Sequence, residues 1–468
     1  MSSYNEQIAD EQTNNLTVTA RPVKDLYAGI RGTAIKILIR VERTDSYLEK
    51  LLDYELRFLE ISVQDRALLY EIVHGVIRWQ GRLDWILSGF YKGQFSKAIP
   101  ILKNALRVAL YQILFLDKVP EYAAVNEAVE FVKRLHGQKS ADISNAILRN
   151  IIRNKAALRY PDPEVNLITY LSTYYSHPVW MLKRWLTRYG QEFTVEMMKA
   201  NNEKAGITLR LNTGKISPEE CRMLFDSVNI KFQEGKYIPG FFKIVSQANI
   251  LQWAYFQQGY FTVQDESAGL ACRVLAPKQG MKVLDLCSAP GGKSAYIANL
   301  MNNEGEIISV DRFDTRLKIL TSNLERLGIT IVKPIAKDAL EFDDGMFDAA
   351  IIDAPCSGFG TLAKKPDIKW KKELLDIRQL SELQLKLLLH AATLINYGGV
   401  LVYSVCTIEP EETTGVIHKF LAETPDFYLE SCADYVHSEL LDKHGCVQTY
   451  PNVHKIDGAF AARLRRKS

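Results

Sequence analysis

Two cysteines stand at the ends of two apolar runs, Cys356 in AAIIDAPCSG and Cys406 in GVLVYSVCT. Each run is typical of a strand that is buried on both faces of a parallel sheet. Open α/β folds bind ligands at the carboxyl ends of their strands, so each thiol is expected at the edge where a ligand would lie. Because the two strands should be neighbours in such a sheet, we predict that the two thiols face one pocket.

Two thiols in one pocket suit chemistry on a cytosine base. Carbon-5 of cytosine is not nucleophilic until another group adds at carbon-6, and a thiolate attacks well and later leaves. Asp353, three residues before Cys356, can hydrogen-bond the N3 edge of the ring and stabilise the adduct. The second thiol, or a base near it, would then help to remove the carbon-5 proton.

The cysteines also allow other interpretations. Two thiols in one pocket could form a redox disulfide or half of a metal site. No histidine lies near either cysteine in the sequence, and soft metals want more ligands, so we expect no metal. Four of the remaining cysteines are expected to be small buried side chains: Cys221, Cys272, Cys432 and Cys446. Cys287 is expected to take part in the packing of its loop.

A glycine-containing loop follows the first strand of this region. The strand MKVLDL runs into CSAPGGK, where a helix begins. Pro290, Gly291 and Gly292 let the backbone approach a ligand, and the helix N-terminus behind them is positive. The loop matches neither GxGxxG nor GxxxxGK[ST], which favours a nucleoside-type ligand without a pyrophosphate. This interpretation points to S-adenosyl-L-methionine.

Three acidic residues lie inside strands of this region or at their ends. Asp311 closes EIISVD, where an acid can accept hydrogen bonds from ribose hydroxyls. Asp338 closes the third strand, where it either accepts from an adenine amino group or is simply a solvated loop acid. Asp285 lies inside the first strand, where it can orient the loop backbone.

A basic segment with one tryptophan lies between the two cysteines. In GTLAKKPDIKWKK, five lysines surround Trp370: Lys364, Lys365, Lys369, Lys371 and Lys372. A charge run is usually a solvated face. Beside the predicted pocket, however, lysines suit phosphates and an indole suits an unstacked base. We therefore predict that Lys364, Lys365, Lys369 and Trp370 contact RNA.

The elements that must position these residues divide the chain into four parts. From residue 256 to 468, strands and helices alternate, which predicts a doubly wound, Rossmann-like and mainly parallel α/β sheet. Residues 26–158 repeat apolar side chains at helical spacing and predict an all-helical bundle. Residues 159–255 combine helices with short alternating runs, which predicts a small α+β subdomain. The polar residues 1–25 are predicted to be a disordered leader.

Composition limits the class of protein. The 468 residues carry a formal net charge of only +3, so local patches rather than the whole molecule must support any nucleic-acid contact. The seven cysteines form no CxxC pair and suggest no disulfide framework. The polar N-terminus does not resemble a signal peptide, and no apolar run approaches the ~20 residues that span a bilayer. We expect a cytoplasmic protein without a membrane anchor.

Five segments, in this order, resemble a known family: QDESAGL, DLCSAPGGK, DAPCSGFGTLAKKPDIKW, YSVCTIEPEE and DGAFAARL. They are similar to the Sun/Fmu (RsmB-like) RNA cytosine-5 methyltransferases of bacteria. The helical region also resembles the NusB-like RNA-binding domain of the members that act on 16S rRNA. The middle region, with KANNEKAGITLRLN, is similar to the small RNA-binding subdomain that precedes the family's catalytic domain.

The resemblance assigns roles that spacing leaves open. It implies that Cys406 is the nucleophile, that Cys356 assists release of the methylated product, and that Asp353 lies beside the base. It further implies S-adenosyl-L-methionine as the cofactor and 16S rRNA as the partner. The implied cofactor contacts are Cys287, Ser288, Ala289, Pro290, Gly291, Gly292, Lys293, Asp311, Asp338 and Asp353.

The chain departs from the family pattern at two places. Val405 stands before the nucleophile, where the family usually has threonine, and Ala459 and Ala461 replace bulkier groups of the closing motif. Both differences bear on substrate fit, and neither removes a catalytic group. Two other functions stay open from the sequence: cytosine-5 methylation of tRNA or 23S rRNA, and a non-catalytic RNA-binding or ribosome-assembly factor.

Overall fold

A computed structural model describes residues 27–245, 250 and 253–468 of the chain. The chain forms two compact units, Met1–Arg159 and Tyr160–Ser468, and each is described by itself. The predicted leader at residues 1–25 lies outside the described residues. Over the described ranges, no helix is both long and apolar enough to cross a membrane.

The first unit is a bundle of helices packed around one buried helix. Its α-helices are α1 (Ile30–Arg43), α2 (Leu48–Leu56), α3 (Val63–Arg78), α4 (Gln80–Phe90), α5 (Pro100–Phe115), α6 (Glu121–His136) and α7 (Gln138–Arg153). Helix α5 contacts α1, α3, α4, α6 and α7, and its side chains are buried over most of its length. A helix that is apolar on several sides must be surrounded in this way. The predicted all-helical region is confirmed.

Two arginines of this unit are buried inside it. Arg107 on α5 donates from Nε to Asp84 Oδ1 at 2.6 Å and also pairs with Glu42. Arg78 at the end of α3 is buried as well. Buried arginines need internal acceptors, and the two carboxylates supply them for Arg107. These two arginines therefore contribute little positive charge to the surface of the bundle.

The second unit begins with three helices and a small antiparallel sheet. The helices are α8 (Leu167–Tyr174), α9 (Val179–Tyr189) and α10 (Gln191–Asn202). The strands are β1 (Ile207–Leu211), β2 (Phe232–Glu234), β3 (Phe241–Ile244) and β4 (Phe261–Val263), in the order β2-β3-β1-β4. Helix α11 (Pro218–Ser227) begins at a capping box formed by Ser217 and Glu220.

The small sheet extends past the boundary that the sequence predicts at residue 255. Its strand β4 pairs with β1, with Leu209 opposite Val263. Three residues are too few to show alternation, so only the pairing with β1 reveals this strand. The short helix α12 (Ala254–Gln257) lies between β3 and β4, and α13 (Glu266–Leu275) connects the small sheet to the large one.

The large sheet carries the chemistry-bearing segments. Its strands are β5 (Lys282–Leu286), β6 (Glu306–Asp311), β7 (Val332–Ala336), β8 (Phe347–Asp353), β9 (Ile395–Val405), β10 (Phe427–Glu430), β11 (Val447–Gln448) and β12 (Phe460–Arg466). Their order is β10-β12-β9-β8-β5-β6-β7, with β11 paired to β12. Strands β5 to β9 pair in parallel, whereas β10, β11 and β12 pair antiparallel. The predicted mainly parallel sheet is confirmed.

The connections of the large sheet create one crevice. The helices that follow are α14 (Gly292–Leu300), α15 (Asp314–Leu327), α16 (Ile368–Lys371), α17 (Leu374–Thr393), α18 (Thr414–Glu423) and α19 (Pro451–His454). From β5 the chain proceeds outward through β6 and β7, and then returns to β8 on the other side of β5. Such a reversal leaves a crevice at the carboxyl ends of the two central strands, where α/β folds bind ligands.

Candidate active site

The two cysteines meet at the carboxyl edge of the large sheet. Strands β8 and β9 are neighbours, with Asp353 opposite Ser404, so the segments that follow them leave the sheet side by side. Cys356 Sγ lies 3.3 Å from Cys406 Sγ. The prediction that the fourth and fifth parallel strands are adjacent is confirmed, and their adjacency brings the two sulfurs into direct contact.

The two thiols differ in acidity. The hydrogen bond with Cys356 lowers the pKa of Cys406 against the opposing effects of burial and of the Asp353 charge, and the charges of Lys365 and Lys293 lower it further. The same hydrogen bond, together with burial, raises the pKa of Cys356. Either sulfur could donate in this contact, but the lower pKa of Cys406 makes it the thiol of the pair that ionises first, and the thiolate is the nucleophilic form of cysteine.

An ion pair lies beside the thiols, in the crevice at the carboxyl ends of the two central strands. Lys293 Nζ, in the first turn of α14, is 2.7 Å from Asp353 Oδ2 at the end of β8. Burial opposes the charge on Lys293, but the Asp353 carboxylate raises the pKa of the lysine above its ordinary value. The Asp353 side chain remains 38% exposed. Its carboxylate is therefore fixed in place and still open to a ligand in the crevice.

The loop between β5 and α14 is tied to β6 by its backbone. Ser288 N donates to Val310 O at 3.0 Å, and Ala289 N donates to Asp311 Oδ2 at 3.2 Å. Gly291 has a φ of 94° and caps α14, and a Cβ there would lie 2.6 Å from Leu320 Cγ. The position therefore needs glycine both for its backbone and for its space.

The predicted cofactor residues take different places around this loop. Asp311 is almost fully buried, and beyond Ala289 N it accepts from Phe313 N at 3.1 Å and pairs with Arg316 at 3.3 Å. Asp338 follows β7 and accepts from Leu340 N at 3.0 Å. The structure thus joins Asp311 to the loop directly, whereas Asp338 lies beyond the end of the edge strand β7.

Other predicted residues of the loop have structural surroundings. The cis peptide Ala289-Pro290 lies in its centre. Burial, followed by the Asp353 charge, raises the pKa of the Cys287 thiol to about 12, so this thiol stays protonated. A protonated thiol in a packed loop agrees with the expectation that Cys287 packs rather than reacts.

Asp285 anchors the first turn of α14 from below. Ser294 Oγ donates to Asp285 Oδ2 at 2.5 Å, and Ser309 Oγ donates to Ser294 Oγ at 2.9 Å. Burial is the largest cause that raises the pKa of Asp285 to about 7. Sequence reasoning missed both serines, because only the pairing of β5 with β6 brings Ser309 beside this carboxyl group.

Two buried acceptors near the loop fit a nucleoside ligand. Gln264 Oε1 and Asp285 Oδ1 have no hydrogen-bond partner among residues 27–245, 250 and 253–468. Gln264 belongs to the loop's surroundings, since its Nε2 would lie 3.5 Å from a Cβ added at Gly292. Orphaned acceptors beside glycines suit the amino and hydroxyl donors of a nucleoside cofactor. The loop, Asp311 and Gln264 are the residues that could hold it.

One buried carboxylate connects the segments that carry the two cysteines. Glu412 accepts from Ser357 N at 2.8 Å, from Ser357 Oγ at 2.5 Å, from Thr407 Oγ1 at 3.2 Å and from Gln384 Nε2 at 3.0 Å. Ser357 follows Cys356, and Thr407 follows Cys406. The carboxylate therefore holds both cysteine segments together. Sequence reasoning did not single out Glu412, although it lies in the YSVCTIEPEE segment.

A second buried carboxylate ties the segment after Cys406 to helix α9. Glu409 is fully buried; Arg184 donates to it at 2.7 Å, Trp185 Nε1 at 3.1 Å and Arg188 at 3.1 Å. Tyr189 donates its hydroxyl to Ile408 O at 3.2 Å. Two arginines balance the charge of the buried carboxylate, which fixes the segment after Cys406 against the helical part of the second unit.

The basic segment differs from the open surface that its charge predicts. Lys364 is paired with Asp265 and, at 2.8 Å, with Asp457. Lys369 is only 1% exposed. The partners of Lys364 lie far away in the sequence, so the charge run could not show that this ammonium group is already neutralised. Lys365 remains exposed, and Trp370 is half-buried.

The positions that depart from the family pattern are buried in the large sheet. Val405 is the last residue of β9 and lies opposite Phe460 of β12. Ala461 lies opposite Ser404, and Ala459 precedes β12. Because the surroundings of Val405 are apolar, a hydroxyl there would need a polar partner.

Among the residues described, no group of three or more histidine, cysteine or acidic side chains could hold a metal ion.

Comparisons with known proteins agree with this architecture. A family described as 16S rRNA methyltransferase RsmB/F matches residues 272–465. The NusB family matches residues 29–153, and the ferredoxin-like domain of RsmF/B-like methyltransferases matches residues 177–250. The three matches follow the order of the helical bundle, the small sheet and the large sheet.

Individual relatives are similar over most of their length. The chain is 35% identical over 446 residues to the "Probable ribosomal RNA small subunit methyltransferase B" of Bacillus subtilis, covering 94% of this chain and 99% of the relative. It is 31% identical to the "Ribosomal RNA small subunit methyltransferase B" of Klebsiella pneumoniae, covering 87% and 92%. The crystal structure of PH0851 is 28% identical with a TM-score of 0.78, covering 93% and 98%. The chain belongs to the RsmB/F family of ribosomal RNA small subunit methyltransferases.

Proposed function

We propose that this protein methylates carbon-5 of a cytidine in 16S rRNA through a covalent adduct with Cys406. The observation that carries the proposal is the contact of 3.3 Å between the two sulfurs, with Cys406 as the more acidic thiol. A paired thiolate and thiol beside an exposed carboxylate match what carbon-5 methylation requires. A ribosomal RNA substrate implies that the protein acts in the cytoplasm.

In the proposed reaction, the Cys406 thiolate adds to carbon-6 of the base and gives carbon-5 enamine character. Asp353 accepts a hydrogen bond from the exocyclic amino group at the N3 edge, and Lys293, which holds this carboxylate in place, brings a positive charge to that edge while negative charge develops on the ring. S-adenosyl-L-methionine, when bound, supplies an electrophilic methyl group and leaves as the neutral thioether. The residues of the β5–α14 loop, with Asp311 and Gln264, would hold it.

Release of the product needs two bonds to break. The proton on carbon-5 must pass to a base, and the electron pair left behind then expels Cys406 from carbon-6 as a thiolate. We assign assistance in this step to Cys356, because its sulfur already contacts that of Cys406 and can donate a hydrogen bond to the leaving thiolate. The two thiols thus have different roles in one cycle.

Trapping with 5-fluorocytidine tests the proposal. A fluorine on carbon-5 cannot leave as a proton, so wild-type protein should form a stable covalent complex with fluorinated 16S rRNA fragments in the presence of the cofactor. Cys406→Ala should form none, whereas Cys356→Ala should still form it. If Cys356→Ala prevents trapping and Cys406→Ala does not, the two roles are reversed.

The RNA target is tested in cells. Bisulfite sequencing of rRNA from cells that lack the protein should show the loss of one 5-methylcytidine in 16S rRNA. An unchanged 16S profile with a change in tRNA or 23S rRNA would refute the proposed substrate while retaining the chemistry. An unchanged profile in every RNA would refute the methyltransferase proposal itself.

A further inference from the structure

A cleft lies next to the segments that carry the cysteines, between the start of α9 and the helices α16 and α17. Its volume is about 380 Å³. Pro178 and Trp180 form one wall, and Lys369, Trp370, Lys372 and Leu374 form the other. All of these residues belong to the second unit. Neither the disposition of the cofactor loop nor the thiol chemistry uses this cleft.

The walls of the cleft combine flat aromatic rings with positive charge. Trp180 and Trp370 each contribute an indole, and both side chains are half-buried. Lys369 Nζ lies 5.5 Å from the centre of the Trp370 ring and packs against this indole, but Lys369 is only 1% exposed and offers no open charge to the cleft. Lys372 supplies the positive charge of the cleft and lies 3.6 Å from Asp376, and Glu373 places a negative side chain at the rim. Indoles stack on bases of any kind, and ammonium groups attract phosphates.

The cleft is connected to the nucleophile through one short contact path. The Trp180 ring lies 5.9 Å from the ring of Phe359. The next residue, Gly360, donates its N–H to Cys406 O at 3.1 Å. Gly360 also packs tightly on the backbone of Gly458, since a Cβ at Gly360 would lie 1.7 Å from the Gly458 oxygen. The wall of the cleft is therefore held in a defined position relative to Cys406.

We propose that this cleft binds one unstacked base of the RNA substrate, next to the cytidine that is methylated. The inference rests on the proposed function, because it assumes RNA at the catalytic crevice. A cytidine can reach two thiols at a sheet edge only when it leaves its stack, and its neighbour then loses a stacking partner. Two indoles beside a rigid path to Cys406 offer a replacement for that partner.

Binding measurements with short single-stranded RNA test this inference independently of catalysis. The probe is a fluorescent fragment of 16S rRNA that contains the methylated cytidine, together with versions in which each neighbouring base is removed. Trp180→Ala should weaken binding of the intact fragment roughly 5- to 150-fold, which is the range for stacking of one base. Removal of one particular neighbouring base should weaken wild-type binding by a similar factor and leave Trp180→Ala unaffected.

Controls separate stacking from misfolding. Trp180→Phe keeps an aromatic ring and should restore most of the affinity, and Lys372→Glu should weaken binding more at low salt than at high salt. Tyr428→Ala removes an exposed aromatic ring from the edge strand β10 and should bind as the wild type does. Full-length protein is used throughout, and cofactor affinity reports the integrity of the fold.

The outcomes distinguish this inference from the proposed function. One outcome is that the wild-type protein methylates RNA while Trp180→Ala binds every probe as tightly as the wild type does. That result would refute base binding in the cleft and leave the proposed reaction intact. The reverse result, a base-specific loss of binding without any methyl transfer, would support the cleft and refute the proposed reaction. Equal sensitivity of wild type and Trp180→Ala to all base removals would also overturn the cleft.

Discussion

Replacement of Glu412 by alanine tests whether one buried carboxylate sets the spacing of the two thiols. In this variant, the hydroxyls of Ser357 and Thr407 keep their mutual hydrogen bond of 2.8 Å. Gln384 Nε2 keeps its hydrogen bond of 2.8 Å to Pro355 O. The Ser357 amide is different, because within the described part of the chain Glu412 is its hydrogen-bond acceptor. The substitution therefore leaves one buried N–H without a partner, directly after Cys356.

The expected magnitudes follow from these contacts. A buried amide without an acceptor destabilises a protein by about 1–3 kcal/mol. Burial raises the pKa of Glu412, so removal of the carboxyl group relieves part of an existing penalty. We therefore expect the free energy of unfolding to fall by only about 1–2 kcal/mol. The rate should suffer more, because a displacement of about 1 Å in a reacting group can lower catalysis by about 100-fold.

The assay compares methyl transfer with stability. Glu412→Ala should lower kcat by about 100-fold while KM for the RNA and cofactor affinity stay near the wild-type values. The matched control is Glu382→Ala, which removes an exposed carboxylate from the helix that carries Gln384. If Glu412→Ala unfolds more easily but retains the wild-type kcat, the carboxylate supports only the fold, and the reasoning about thiol spacing is wrong.

Three further predictions concern the two thiols, the buried carboxyl group of Asp457 and the packed glycine Gly360. Cys356→Ala removes the hydrogen bond that lowers the pKa of Cys406. The pH profile of Cys406 alkylation should therefore shift to higher pH, which mass spectrometry of the Cys406 peptide can follow. An unchanged profile would contradict this. Burial and then Asp265 raise the pKa of Asp457 to about 6, so this carboxyl stabilises the fold at low pH and loses that contribution as pH rises. Between about pH 4 and pH 7, the free energy of unfolding of the wild type, measured with urea, should therefore fall by about 3 kcal/mol relative to that of Asp457→Asn. If the two proteins lose stability in parallel over this pH range, the prediction is wrong. Gly360→Ala should abolish the trapping of Cys406, because the added Cβ would collide with a backbone oxygen. The control is Gly89→Ala, whose Cβ would meet no atom within 4 Å inside a helix, and which should raise the stability measured by thermal unfolding by about 0.5–1 kcal/mol.

Much of the fold follows from local patterns. The apolar runs that end at Cys356 and Cys406 are buried strands, and alternation of strands with helices specifies their parallel pairing. The helical spacing of the first unit predicts its bundle. Strand β4 was not predictable in this way, because its three residues carry no alternation and belong to the small sheet only through β1.

The candidate site was predictable in part for a similar reason. Cys406, Cys356 and Asp353 are found from the sequence because each follows a recognisable strand. Glu412 has no such position, and its role depends on hydrogen bonds to two segments that meet only in the folded chain. The charge of Lys364 is visible in the sequence, whereas its pairing with Asp265 and Asp457 is not.

By itself, the sequence determined which strands end in thiols, which loop carries the glycines, and that both belong to one doubly wound sheet. These features depend on periodicity and on residue type, which are local properties of the chain. Only the tertiary structure decided that the two sulfurs touch, that their acidities differ, and that Lys364 and Lys369 are not open basic groups. Burial and distance control acidity and charge pairing, and both arise from residues that are remote in the chain.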